Sequence, residues 1–187
     1  VQTRPEIVKV RPGLWALKSY GRDLDEGPVK AREEIAAELT HAYYQGLLAN
    51  IGNMRNLNTY IPNQDRNKDF LGQPLGKVRS IQALPQFSYP ELVSRSETID
   101  VIWLNNRNMP HSMFEVEHST DFQNSLIKFS DLQDFHTRFI IVSSPHRRAE
   151  FDRKVHFNAF SEIRSRVQFM DYELLVRQYE TEILNSQ

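Results

Sequence analysis

The stretch from Thr98 to Thr120, TIDVIWLNNRNMPHSMFEVEHST, decides how this chain folds. It reads as two apolar strands joined by a short polar turn over Asn105–Pro110, with carboxylates where apolar side chains are expected. Asp100 interrupts the first strand, and Glu115 and Glu117 flank Val116 in the second. Strand side chains alternate faces, so Glu115 and Glu117 share one face and Val116 points the other way. Antiparallel pairing across the turn lets Asp100 lie on that same face. Three carboxylates converging there repel one another and resist desolvation unless a cation sits between them. Hard divalent ions such as Mg²⁺ prefer all-oxygen ligands of this kind. The residues point to a carboxylate-bound Mg²⁺ centre.

Working outward, Val29–Asn53 has the period of a long helix, with Ile35, Leu39, Tyr43 and Leu47 as its apolar stripe and Gly52-Asn53 as the stop. Glu38, His41 and Gln45 form a second stripe at i, i+3 and i+7. Asn56–Ile61 reads as a strand, and PNQDRNKDFLGQPLG as a loop. Beyond the hairpin, Ser119-Thr120-Asp121 offers N-caps for a helix to Phe135 carrying Phe122, Leu126 and Phe129. RFIIVS (138–143) is a continuous apolar strand suited to a buried sheet position. Arg147–Ile163 reads as one amphipathic helix, Val167–Leu175 as a last strand and Val176–Asn185 as a closing helix. This order predicts an α/β fold, a three-layer α/β/α sandwich on a central mixed sheet. Ahead of it, residues 1–20 alternate about an Arg11-Pro12-Gly13 turn, predicting a short β-hairpin. The hairpin is either an edge element of the main domain or the wing of a winged-helix DNA-binding domain lying upstream. A polar linker at 21–30 would separate it from a domain over 31–187.

Composition narrows the classes. A chain of 187 residues, 40% hydrophobic and 25% charged, suits one soluble globular domain. It has no apolar run of the roughly 18 residues that a membrane helix needs. The absence of cysteine excludes disulfides, thiolate zinc and a cysteine nucleophile, and is compatible with a cytoplasmic location. A formal charge of -1 argues against a pure DNA-binding module more than against a nuclease, whose acidic centre offsets a basic groove. The histidines show neither HxH nor HExxH spacing, and no P-loop, GxGxxG or GxSxG motif occurs.

The segments PNQDRNK, ETIDVIWL, FEVEHSTDFQNSLIKFSDL and FIIVSSPHRR, in that order after a polar-faced helix, resemble the nuclease core of bacterial restriction endonucleases, the PD-(D/E)xK superfamily. The resemblance runs from about Arg32 to Leu175. Ile99 stands where the family name has Pro, and Glu117 where it has Lys, an E-x-E variant. It implies a restriction-endonuclease-like core that hydrolyses double-stranded DNA with Mg²⁺, Mn²⁺ substituting, often as a homodimer. Asp100 and Glu115 would then hold the ion, with the Val116 carbonyl as a further ligand and Glu38 reaching it through water. Glu117 would be a general base or complete a second metal site roughly 4 Å from the first.

His41 is a candidate for touching a phosphate or shuttling a proton, and Gln45 shares its stripe. Lys128, on the following helix, either replaces the cation missing at position 117 or is a solvated lysine. Asp65 either approaches the site from its loop or is a turn acid. Arg107, Arg147, Arg148, Arg153 and Lys154, with Arg164 and Arg166, either contact DNA phosphates or form ordinary solvated faces. Two other readings stay open: a catalytically silent DNA-binding or assembly domain on the nuclease fold, and a nuclease for RNA or branched DNA.

Overall fold

The computed structural model describes residues 7–11, 14–17 and 29–185, with side chains from residue 40 onward. Strands β1 (Ile7–Arg11) and β2 (Leu14–Leu17) pair antiparallel as the expected opening hairpin. Of the segment read as a linker, residues 21–28 lie outside the described residues, while 29 and 30 already belong to helix α1 (Val29–Met54).

The central sheet has five strands: β3 (Asn58–Tyr60), β6 (Val101–Leu104), β7 (Pro110–Glu117), β8 (Arg138–Ser143) and β9 (Val167–Asp171), in that spatial order. Between β3 and β6 lie a small hairpin of β4 (Asp69–Phe70) and β5 (Gln73–Pro74), a single helical turn α2 (Leu75–Val78), and α3 (Pro90–Ser96). The β3–β6 and β6–β7 pairs are antiparallel, and β7–β8 and β8–β9 are parallel. Parallel neighbours need crossover helices. These are α4 (Phe122–Asp131) and α5 (Arg148–Val155), and α6 (Tyr172–Asn185) follows β9.

Alternation sorts the sheet into two apolar faces. Trp103, Phe114, Val116, Ile140 and Val142 pack with Leu47, Leu48 and Ile51 of α1 and Leu175 of α6. Ile102, Met113, Phe139 and Ile141 pack with Phe122, Leu126 and Phe129 of α4 and Phe151 and Val155 of α5. The result is the three-layer α/β/α sandwich expected from the order of elements.

Several local expectations change. Gly52 does not stop α1. The helix ends instead in a Schellman motif around Asn56 (φ 58°), whose N–H donates to Asn53, while Leu57 N–H donates to the Gly52 carbonyl. The stretch read as a helix over Arg147–Ile163 is regular only from Arg148 to Val155. Phe157 is extended (ψ 142°), and the Arg164 guanidinium donates to the carbonyls of Val155 and His156, serving the orphan acceptors at the helix end. The segment 62–76, read as loop, contains the β4–β5 hairpin. The last helix starts at Tyr172, not Val176.

Gly52 matters for close approach rather than as a cap. A Cβ there would lie 2.5 Å from Thr59 Cγ2 and 2.6 Å from the Trp103 indole nitrogen. That indole donates to the Leu48 carbonyl at 3.0 Å, tying α1 to β6. Gly52→Ala gains roughly 1 kcal/mol of helix propensity but overpacks this contact. It should lower unfolding free energy by a net roughly 1–3 kcal/mol in urea denaturation. An unchanged or raised midpoint would contradict the packing described.

Candidate active site

The site begins where two strands part. β6 and β7 pair from Leu104↔Pro110 back to Val101↔Phe114, and Asp100 falls just outside the ladder. The backbone N–H of Val116 donates to the Asp100 side chain (Oδ2) at 2.8 Å. A carboxylate thus takes the place of a main-chain acceptor, and a buried N–H is satisfied. The Asp100 N–H lies 3.3 Å from Glu115 Oε1. From α1, His41 Nε2 sits 3.1 Å from Asp100 Oδ2, and the Gln45 amide donates to the Asp100 carbonyl at 3.2 Å. The same amide donates to Asp65 at 2.8 Å, and Asp65 also pairs with Lys68 at 2.9 Å. Asp65 is therefore a buried member of the cluster, not a plain turn acid.

Glu115 and Glu117 are both buried and both face α4. The Ser125 hydroxyl reaches Glu115 at 3.1 Å and also bonds Glu117, and Thr120 donates to Glu117 as well. A hydroxyl has one proton. It cannot donate to two ionised carboxylates at once, so the pair favours sharing a proton or a cation. The Lys128 ammonium supplies one cation, 3.0 and 2.8 Å from the two Glu115 oxygens and 2.8 Å from the Thr98 carbonyl.

These surroundings split the acids. Burial and the nearby Asp100 charge push the Glu115 carboxyl up to about 8, against the pull of Lys128. Burial raises Glu117 too, opposed by its Ser125 and Thr120 bonds. Asp100 goes the other way: burial opposes its ionisation, but the bond and charge of His41, the Val116 amide and Lys128 outweigh it. His41 is correspondingly raised, since Asp100 overcomes the cost of burying the imidazolium.

The donors suit a hard cation. Among the described residues no three His, Asp or Glu side chains form a ready-made cage. An ion here would draw on Asp100 and Glu115 and fill its shell from main-chain, water or phosphate oxygens. That is how Mg²⁺ is ordinarily held, by one or two carboxylates. Two buried polar atoms beside the cluster, His41 Nδ1 and Gln45 Oε1, have no hydrogen-bond partner among the described residues.

A family model described as the C-terminal domain of the type II restriction enzyme NmeDI matches residues 25–184. The chain belongs to that family. The type II restriction enzyme NmeDI of Neisseria meningitidis serogroup C is 24% identical over 140 residues, which cover 70% of this chain and 40% of that relative. The chain thus spans less than half the length of the curated relative it matches. No solved structure matches it with significance.

Within this NmeDI-like domain the remaining candidates scatter. Glu38 lies on α1, but its side chain falls outside the described residues. Arg107 is exposed in the β6–β7 turn, at the opposite end of the hairpin from Asp100. Arg147 stacks on Phe122 at 4.1 Å, pairs with Glu150 and donates to the Thr120 carbonyl at 2.6 Å, so it buttresses the segment after β7. Arg148 pairs with Asp152, and Lys154 pairs with Asp121, the N-cap of α4. Arg153 is exposed on α5. Arg166 donates to the carbonyls of Gln133 and Phe135. Most of this basic run is committed to structural contacts. No described helix is long and apolar enough to cross a membrane.

Sequence reasoning misses Ser125 and Thr98 and gives Thr120 only as an N-cap candidate. Ser125 carried a signal: with Phe122, Leu126 and Phe129 it completes the buried i, i+3, i+4, i+7 stripe of α4. A serine on such a stripe needs a buried polar partner. His118, half-buried beside Tyr172, also borders the cluster.

The raised Glu115 carboxyl has a consequence for stability. A carboxyl raised in the folded state adds stability that is complete below its unfolded value near 4.5 and is lost as pH rises through about 8. In EDTA, the melting temperature should therefore fall across that window, and Glu115→Gln should flatten the fall. Parallel profiles for the two proteins would refute the assignment.

Proposed function

We propose that this domain hydrolyses phosphodiester bonds of double-stranded DNA with Mg²⁺, Mn²⁺ substituting, as the catalytic domain of a type II-like restriction endonuclease. One observation carries the reading. At the fork of β6 and β7, Asp100, Glu115 and Glu117 gather with Lys128 and His41 around a buried, charge-dense point. The order of elements supports it, as does membership of a family described by a type II restriction enzyme.

Asp100 and Glu115 would hold the ion, which when bound polarises a phosphate and acidifies a water. The protein's own groups do the rest. Glu117, made more basic by burial, is suited to accept a proton from an attacking water. Lys128 and His41 bring positive charge to balance the entering phosphate. Cutting both strands at one locus calls for two such centres, so a homodimer is the working assembly.

A second reading rests on the lack of a ready-made cage of three ligands among the described residues. It makes the domain a catalytically silent DNA-binding or assembly module. Plasmid cleavage in Mg²⁺ against EDTA separates the two. Wild type should cut only with Mg²⁺. Asp100→Asn and Glu117→Gln should each slow cutting by roughly 10²–10⁴-fold with melting curves intact. Full activity of Asp100→Asn would sink the site, and DNA binding without cutting by wild type would establish the silent module.

A further inference from the structure

Lys128 uses all three ammonium donors at once, two on the Glu115 oxygens and one on the Thr98 carbonyl. Its side chain is 22% exposed and that of Glu115 3%, so one end of a water-poor ion pair can still reach solvent. An ammonium chelated by both oxygens of a carboxylate stands where a metal ligated by that carboxylate would draw its charge. A Mg²⁺–oxygen contact is about 2.0–2.1 Å, shorter than these N···O distances. A Mg²⁺ that close to either oxygen would lie against the ammonium now held by both, and the two like charges would repel one another.

We propose that Lys128 is a place-holder for the metal: it occupies both Glu115 oxygens in the metal-free domain and must withdraw for the ion to bind. The inference rests on the proposed Mg²⁺ centre and adds its regulation, a built-in competitor that sets the metal affinity. Two features of α4 make the exchange feasible. Lys128 lies one turn beyond Ser125, so both share the face that meets Glu115 and Glu117. A lysine stem is flexible and ends in a compact charge, unlike the rigid fork of arginine. The domain avoids leaving a buried carboxylate cluster uncompensated before metal arrives, at a cost in affinity.

The competition has a signature that an ordinary structural ion pair lacks. Removing Lys128 should lower stability without metal and at the same time tighten metal binding. If the closed lysine conformer holds nine-tenths of the population, its removal tightens the apparent Kd about tenfold. The test is a titration of the DNA-free domain with Mn²⁺, following free ion by electron paramagnetic resonance, together with melting curves in EDTA. Lys128→Met should melt lower than wild type in EDTA and bind Mn²⁺ about tenfold more tightly. Lys128→Gln, which retains hydrogen bonding to Thr98, serves if the first variant does not fold. Glu115→Gln should abolish the site in either background. Binding that is unchanged or weaker in both lysine variants, with wild type binding through Glu115, would overturn the place-holder and leave the metal centre standing. No Mn²⁺ binding by wild type would overturn both.

Discussion

The carboxylate of Asp100 accepts the Val116 N–H where β6 and β7 cease to pair, and the rest of the site depends on that bond. It lets the strands diverge without orphaning a buried backbone donor. It also fixes a negative charge beside Glu115, on a half-buried side chain that is 14% exposed. Glu115 and Glu117 on the neighbouring strand β7 then raise a demand for positive charge. His41 from one helical layer and Lys128 from the other meet it. The sandwich architecture is thus what brings opposite layers to one fork.

The surrounding packing keeps the fork in register. Trp103 bonds α1 to β6, and Gly52 admits the indole close to the helix. A fixed α1 in turn aims His41 and Gln45 at Asp100. On the other face the parallel pairing of β7 with β8 requires a crossover, and α4 supplies it. Its buried stripe sets the helix phase, which places Ser125 against both glutamates and Lys128 over Glu115. Arg147, packed on Phe122 and bonded to the Thr120 carbonyl, holds the turn between β7 and α4.

Much of this was legible in the residues. The alternation of Glu115, Val116 and Glu117 implied a shared face for the two acids, and the mixed sheet followed from the order of periodic segments. The helix period also placed His41 and Gln45 on one side of α1. What stayed hidden depended on long-range docking. Asp65 sits in a segment with turn chemistry, and nothing local says that it reaches Gln45, 20 residues away. A run of basic residues looks alike whether it faces a phosphate or a carbonyl. Arg147, Arg164 and Arg166 face carbonyls. The end of α5 at Val155 is not legible because the apolar period continues through Phe160 and Ile163, which remain core residues in a short 3₁₀ helix and the turn after it.

The central claim is that the fork of β6 and β7 is a divalent-cation site and not merely a network of buried ion pairs. Anomalous diffraction from crystals of the domain soaked in Mn²⁺ tests it most directly. The account predicts a peak within ligand distance of the Asp100 and Glu115 carboxylates, with the Lys128 ammonium moved off Glu115. No peak at the fork under saturating Mn²⁺, with Lys128 still chelated by Glu115, would contradict it.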